Sequence, residues 1–470
     1  MRAVAVIMLL AMTPSRWCFR QASLRRGLSM QAAKPANIVI IGGGFGGLYS
    51  ALKLDRQLRD DEKRGKGSPS CSITLIDPKD KFVFLPLLYE LAVGSASVVE
   101  VAPRYKDLLR DTKIRFVQGS AQDVDVASRS VSVRLADSEA NAPLEFLPYD
   151  KMVIACGAQP NLSIIPGAKE HALPFCSIEH AYSLNQRLRA LMDSNRATIR
   201  VCVIGGGYSG VEVSSTLAEY LGSRGSVSIV DRNEGIMVSS PAHNRRESEK
   251  VLRDLGVAVI CNASVKEVTG DGVVYSTKQE NDIGASAEQQ NALLAADLVI
   301  ATLGMAQSAI VQGLPLAKDR LGRVLTDRTL RSTSNADIYA LGDCSCVEGE
   351  SVPSTAQAAM QQCDIIASNV LLAASGLASS APAPAESFKK FSFVPLGEML
   401  TLGTKDAAVT SLGGLVELDG LAASVGRRLI YALRMPTPQQ TVNALVASTI
   451  VMGSSELLKI LDPRGKTKAK

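Results

Sequence analysis

NIVIIGGGFGGLYSALKL, residues 37–54, is the stretch whose reading decides the fold. Its first five residues are mostly β-branched and apolar, the pattern of a strand buried on both faces of a parallel sheet. They run directly into a glycine turn that opens a helical pattern. Gly42, Gly44 and Gly47 satisfy GxGxxG: the first makes a tight turn, the second lets backbone approach a pyrophosphate, and the third lets helix pack on strand. Phosphate oxygens are then met by the free N–H groups and positive dipole end of the helix. The later strand SITLID ends in Asp77, an acid placed to hydrogen-bond a ribose. It comes 35 residues after Gly42 rather than the usual roughly 20. The charged insert RQLRDDEKRGKGSPS accounts for the excess as a surface loop.

The same pattern returns 163 residues later. IRVCVI leads into GGGYSGVEVSSTLAEYL, giving Gly205, Gly207 and Gly210, and SVSIVD ends in Asp231, 26 residues after Gly205. One such motif is weak; two, each between strand and helix and each with a terminal acid, are strong. Two nucleotide sites on one chain pair most naturally as a flavin and a nicotinamide, because hydride transfer needs donor and acceptor face to face.

Composition supports a large core and excludes other classes. The 470 residues are 46% hydrophobic and 21% charged, which rules out wholesale disorder and suits two or three domains. Aromatics are 4%, against a base-stacking platform for nucleic acid. The net charge of +5 resides entirely in residues 1–33, which hold Arg2, Arg16, Arg20, Arg25 and Arg26 and no acid. The body is neutral and carries no nucleic-acid footprint. His171, His180 and His243 have no partner at ligand spacing, so no metal site is expected. Nine cysteines without a CxxC read as reduced, mostly buried thiols. The apolar run AVAVIMLLAM followed by an acid-free, Arg- and Ser-containing stretch reads as a bipartite plastid leader, with a mitochondrial presequence as the competitor.

The chain resembles the two-dinucleotide-binding-domain flavoproteins, an α/β glutathione-reductase-like architecture of two Rossmann-like domains. KMVIACGAQPN, containing Gly157, looks like the family's return strand near the flavin, with Cys156 in place of the usual Thr. DLVIATLGM, containing Gly304, looks like its counterpart in the second domain, and NADIYALGDCS supplies Asp343 for the flavin's ribityl and phosphate region. The CxxxxC of disulfide reductases is absent between Gly42 and Gly94. Instead FVFLPLLYELAVG and STAQAAMQQ resemble the FxPLLxxxAxG and AQxAxQ segments of type II, non-proton-pumping NAD(P)H:quinone oxidoreductases. LPLLYELAVG, EVAPRYKDLL, ALGDCS and PLGEMLTLGTKDAAV are closest to the plastid branch. On a helix Gln357 and Gln361 share a face, where amides can hydrogen-bond a quinone carbonyl while alanines leave room for a flat ring.

That resemblance implies bound FAD, NADH or NADPH as co-substrate, a membrane quinone such as plastoquinone as acceptor, and homodimers by analogy. Glu212 is either a plain helix-dipole carboxylate or, as in the family, a group near nicotinamide and flavin. Asp231 favours the 2′-hydroxyl of NADH, while Arg232, Arg245 and Arg246 leave NADPH open. The expected layout is a leader over 1–33, a FAD domain over 34–170 and 300–395, an NAD(P)H domain over 171–299 and a membrane-association region over 396–470. In the last, GLAASVGRRLIYALR places Leu421, Val425, Leu429 and Ala432 on one helical face with Arg427 and Arg434 opposite, an interfacial pattern. Eight basic residues against two acids from 420 to 470 suit anionic headgroups. A flexible linker is expected over 372–386. Rival readings are a sulfide:quinone reductase using Cys156 and Cys344, and an NADH-sensing flavoprotein with little turnover, similar to apoptosis-inducing factor.

Overall fold

A computed structural model describes residues 35–65, 69–139, 142–277, 291–377 and 383–447. The leader and the basic tail beyond 447, together with the readings made on them, lie outside these residues.

The first strand, Ala36–Ile41, is central in a seven-stranded sheet and pairs in parallel with Cys71–Asp77 on one side and Lys151–Ile154 on the other. Ile38, Val39, Ile40 and Ile41 are all buried, as a strand covered on both faces requires. Ile338–Ala340 closes one edge, and Ile114–Asp125, Ser130–Leu135 and Glu145–Pro148 extend the other. The helix Phe45–Lys63 packs beneath through Leu48, Ala51 and Leu54. Burying each such leucine contributes about 1.5–3 kcal/mol. This helix runs on through RQLRDDEK, so the charged insert is half helix and not all loop. Those residues are good helix formers, and nothing breaks the run before Gly65. Asp55 is held inside by Arg59 at 2.6 Å and by the Lys113 N–H at 2.9 Å.

The second unit repeats the arrangement in five parallel strands. Ile199–Ile204 is central, flanked by Gly225–Val230 and Leu298–Ala301, with Ala258–Ile260 and Ala172–Pro174 at the edges. Leu298–Ala301 belongs wholly to this sheet, so the return to the first unit follows Ala301 and does not fall at 299/300. The chain crosses between units at Gln159–Pro160 and Met305–Ala306, and these two passages pair antiparallel.

The C-terminal region opens with a sheet. Gly397–Leu402, Asp406–Ser411 and Val416–Asp419 form an antiparallel sheet before the helix Gly420–Leu433. The long helix Ala356–Leu377 also continues through residues 372–377 of the expected linker.

The orientation of Gly420–Leu433 departs from the expected one. Arg427 and Arg428 are buried, and both donate to Glu90 of the short helix Leu88–Ala92. Ala432 faces inward with them, whereas Leu421, Val425 and Leu429 are partly exposed and Leu433 is exposed. A carboxylate inside the protein outweighs the arginines' preference for water. Among the described residues no helix is long and apolar enough to cross a membrane.

Candidate functional site

The two glycine loops share one backbone arrangement. Gly42 has φ +101° and Gly205 has φ +107°, a left-handed backbone in which an L side chain is strained. A Cβ at Gly47 would lie 1.7 Å from the Gly42 carbonyl oxygen, and one at Gly210 would lie 1.8 Å from that of Gly205. Only glycine lets either helix pack so closely on its loop. At Gly44 and Gly207, by contrast, nothing stands within 4 Å of a Cβ position, which leaves the helix N-termini open to a phosphate.

The terminal acids match too. Asp77 accepts from the N–H of Gly43 at 2.6 Å and of Lys79 at 2.8 Å. Asp231 accepts from the N–H of Gly206 at 2.5 Å and of Asn233 at 2.7 Å. Burial raises Asp77 above the ordinary carboxyl range, and its backbone partners pull against that shift. The correspondence extends to the return strands. Thr302 Oγ1 donates to the Ile204 carbonyl at 3.0 Å, and the Cys156 thiol donates to the equivalent Ile41 carbonyl at 3.6 Å. Cys156 thus stands in for a hydroxyl. Burial pushes Cys156 upward and Cys344 to about 11, so neither thiol ionises readily.

A cavity of about 390 Å³ opens at the first loop. Its walls include Gly42 to Gly44, Asp77, Gly157 and Asp343, and the start of the long helix through Thr355, Ala356 and Ala359. Burial raises the Asp343 carboxyl, partly offset by Arg323. Its loop is fixed from outside: Gln362 Oε1 accepts from the Gly342 N–H at 2.8 Å, and Gln307 Nε2 donates to the Asp343 carbonyl at 3.1 Å. An open helix N-terminus and two carboxyls on the walls of one cavity fit FAD, with Asp77 and Asp343 as candidate hydroxyl acceptors. Gly304, expected beside the second nucleotide, stands at the crossing, where its carbonyl accepts from Asn161 N–H at 3.0 Å.

Gln357 and Gln361 share a helix face as expected, but their amides do not line this cavity. Gln357 donates to the Gly397 carbonyl at 3.0 Å and accepts from the Leu396 N–H at 3.1 Å. Gln361 donates to the Val394 carbonyl at 2.8 Å and accepts from the Val394 N–H at 3.0 Å. The two side chains act as strand neighbours for the segment entering the C-terminal sheet. Helical spacing gives which face they occupy and not what lies opposite.

Glu212 is buried in the second glycine helix, Tyr208–Leu221, and accepts from the Thr401 N–H at 3.0 Å. The same helix grips the C-terminal sheet along its length: Tyr208 donates to Glu398 at 2.5 Å, Ser215 accepts from the Gly403 N–H at 3.1 Å, and Glu219 accepts from the Thr404 hydroxyl at 3.0 Å. Loss of water pushes Glu212 up to about 7, against the pull of Thr401, Tyr89 and Arg427. Sequence reading missed Tyr105, whose hydroxyl donates to the Gly43 carbonyl at 2.7 Å, and the Gln307 and Gln362 supports of the Asp343 loop. Only the quoted segments around Tyr105 and Gln362 carried a signal for them.

Residues 36–363 match the family described as pyridine nucleotide-disulphide oxidoreductase. Demethylphylloquinone reductase NdbB of Synechocystis sp. is 34% identical over 413 residues, covering 87% of this chain and 94% of that protein. The chain belongs to the type II NAD(P)H:quinone oxidoreductases. The alternative NAD(P)H-ubiquinone oxidoreductase C1, chloroplastic/mitochondrial, of Arabidopsis thaliana is 32% identical, covering 91% of this chain and 84% of that one. Among solved structures, NDH2 of Plasmodium falciparum in complex with NADH has a TM-score of 0.74 at 18% identity, covering 90% of this chain and 99% of that chain. The sulfide:quinone oxidoreductase of Aquifex aeolicus shares the fold at a TM-score of 0.66, also at 18% identity.

Proposed function

We propose that the chain oxidises NAD(P)H and reduces a prenylquinone, plastoquinone or a related compound, without pumping protons. The observation that carries this reading is the duplicated loop geometry, with Gly44 and Gly207 open and Asp77 and Asp231 held identically. FAD, when bound, supplies the two-electron relay between nicotinamide and quinone. The chain's own residues bind and orient. The first loop takes a pyrophosphate, with Asp77 and Asp343 receiving hydroxyls, and the second loop takes NAD(P)H, with Asp231 facing its ribose. Glu212, near neutrality in its proton affinity, holds a proton at a buried carboxyl beside the second loop. Quinone reduction consumes that class of proton, since NAD(P)H brings one hydride and the quinol needs two hydrogens.

Gln357 and Gln361 have an indirect part in this scheme. They fix the segment that enters Gly397–Leu402, and the Thr401 N–H of that strand holds Glu212. The raised thiols of Cys156 and Cys344 argue against sulfide chemistry.

The membrane contact we propose is the outward apolar strip of the C-terminal region: Leu429, Leu433, Val442 and Val446. The Arg- and Ser-containing leader favours a plastid membrane, with the mitochondrial inner membrane as the alternative. Anaerobic stopped-flow on the flavin absorbance tests the core of the proposal. NADH or NADPH bleaches it, and a short-chain plastoquinone restores it. Absence of bleaching with either nucleotide overturns the reading, and bleaching without recovery points to a sensor.

A further inference from the structure

The two glycine loops are braced by different means. In the first, the Gly43 carbonyl accepts from the hydroxyl of Tyr105, a buried side chain of the same unit, at 2.7 Å. In the second, the Gly206 carbonyl accepts from the backbone N–H of Met237 at 2.8 Å. Met237 has φ +50°, a left-handed conformation that a side chain such as methionine keeps only where its surroundings enforce it. The Met237 carbonyl in turn accepts from the Ser240 N–H at 2.9 Å. Residues 236–240 are thus a strained turn laid against the glycine loop, so close that a Cβ at Gly206 would stand 2.9 Å from Ile236.

What holds that turn comes from a distant part of the chain. Glu398, partly buried in the first strand of the C-terminal sheet, accepts at Oε2 from the Ser240 hydroxyl at 2.9 Å and from the Tyr208 hydroxyl at 2.5 Å. Tyr208 is the first residue of the second nucleotide helix, directly after the open Gly207. One carboxylate oxygen therefore joins the two sides of the second loop, the helix start and the strained turn. Hydrogen bonds to an ionised acceptor are the strong ones, and two hydroxyls on one oxygen fix the distance between their owners. The strand that carries Glu398 is fastened to the same helix further along, by Glu212 on the Thr401 N–H and by Ser215 on the Gly403 N–H, so the carboxylate is presented from a fixed base.

We propose that Glu398 is a positioning residue for NAD(P)H: through Ser240 and Tyr208 it keeps the turn 236–240 against the Gly206 carbonyl, and so keeps the second nucleotide site in shape. The proposal rests on the assignment of the second loop to NAD(P)H. The asymmetry between the loops suits the two ligands. A resident flavin is met by a loop braced from within its own unit, and an exchanging nucleotide by a loop whose brace belongs to the C-terminal sheet.

Anaerobic stopped-flow on the full flavin-loaded chain, over a series of NADH concentrations, separates affinity from chemistry. Glu398→Ala raises the half-saturating NADH concentration roughly tenfold, as loss of one charge-assisted hydrogen bond does. The limiting rate of bleaching, flavin retention and reoxidation by a short-chain plastoquinone stay as in wild type. Glu398→Gln keeps an accepting oxygen and stays within about twofold of wild type. Ser240→Ala raises half-saturation about threefold and adds nothing in the Glu398→Ala background, since both remove the same interaction. Wild-type half-saturation in a folded Glu398→Ala, a Glu398→Gln as weak as Glu398→Ala, or an additive double variant overturns the proposal. So does an equal loss in the NADH and quinone steps, the mark of a strand that only supports the fold. If Glu398→Ala does not fold, Ser240→Ala decides alone. Failure of NADH and NADPH to bleach the wild-type flavin instead overturns the proposed function. Calorimetric titration of the same variants with ADP-ribose then still tests the brace, and equal affinity in wild type and Glu398→Ala overturns it.

Discussion

Replacing Gln357 and Gln361 by leucine separates two explanations of a quinone-motif helix. Each amide closes two hydrogen bonds with backbone of residues 394–397, at 2.8 to 3.1 Å. A hydrogen bond of this kind contributes about 1 kcal/mol net, so each substitution weakens the attachment by about 2 kcal/mol. If the Val394 and Leu396 amides exchange through local opening, their protection falls about thirtyfold in the variant that lost their partner. Hydrogen exchange read by mass spectrometry on peptides spanning 390–402 measures this, with the long helix as internal reference. Loosening at 394–397 must also reach Glu212, because the Thr401 N–H that holds it lies on the strand that follows. The reasoning is refuted if protection at Val394 and Leu396 is unchanged while KM for quinone rises. The glutamines would then be reading substrate and not backbone.

Three further outcomes follow from the same geometry. Gly47→Ala fails to give a folded chain, because its methyl would sit 1.7 Å from a backbone oxygen, whereas Gly44→Ala folds and loses flavin; circular dichroism and the flavin-to-protein absorbance ratio distinguish them. Glu212 titrates near 7 in the folded chain against an ordinary 4.5. The folded state therefore binds the extra proton, and stability falls by about 3 kcal/mol as pH rises through that window. Denaturation midpoints of Glu212→Gln should accordingly gain on wild type between these pH values and run parallel above them; a pH-independent difference would refute this. Cys156→Thr keeps flavin and fold, since Thr302 already fills the equivalent place, and alkylation of the native wild type at neutral pH leaves Cys156 and Cys344 unlabelled by mass spectrometry.

The glycine loops, their acids and the α/β class were legible because each follows from local backbone demands: a strand, a turn that excludes side chains, a helix end that wants an anion. The surroundings of Gln357, Gln361 and Arg427 were not legible. Periodicity put Arg427 opposite an apolar face and assigned that side to water or lipid headgroups. It took Glu90, 337 residues away in sequence, to turn the helix round. The three-stranded C-terminal sheet was missed for a related reason. Its strands are four to six residues long, and the first strand and the turn after it are held by Tyr208, Glu212, Ser215 and Glu219 of a helix distant in sequence.

The chain leaves its first nucleotide unit along Gln159–Pro160 and returns along Met305–Ala306, with the two passages bonded side by side. Two passages bonded to each other are in effect one connection, and neither can shift along its path without breaking the hydrogen bonds it shares with the other. The seam between the two units is thus fastened by backbone as well as by side chains such as Tyr89 and Ser209, and a substitution on either passage is felt by both.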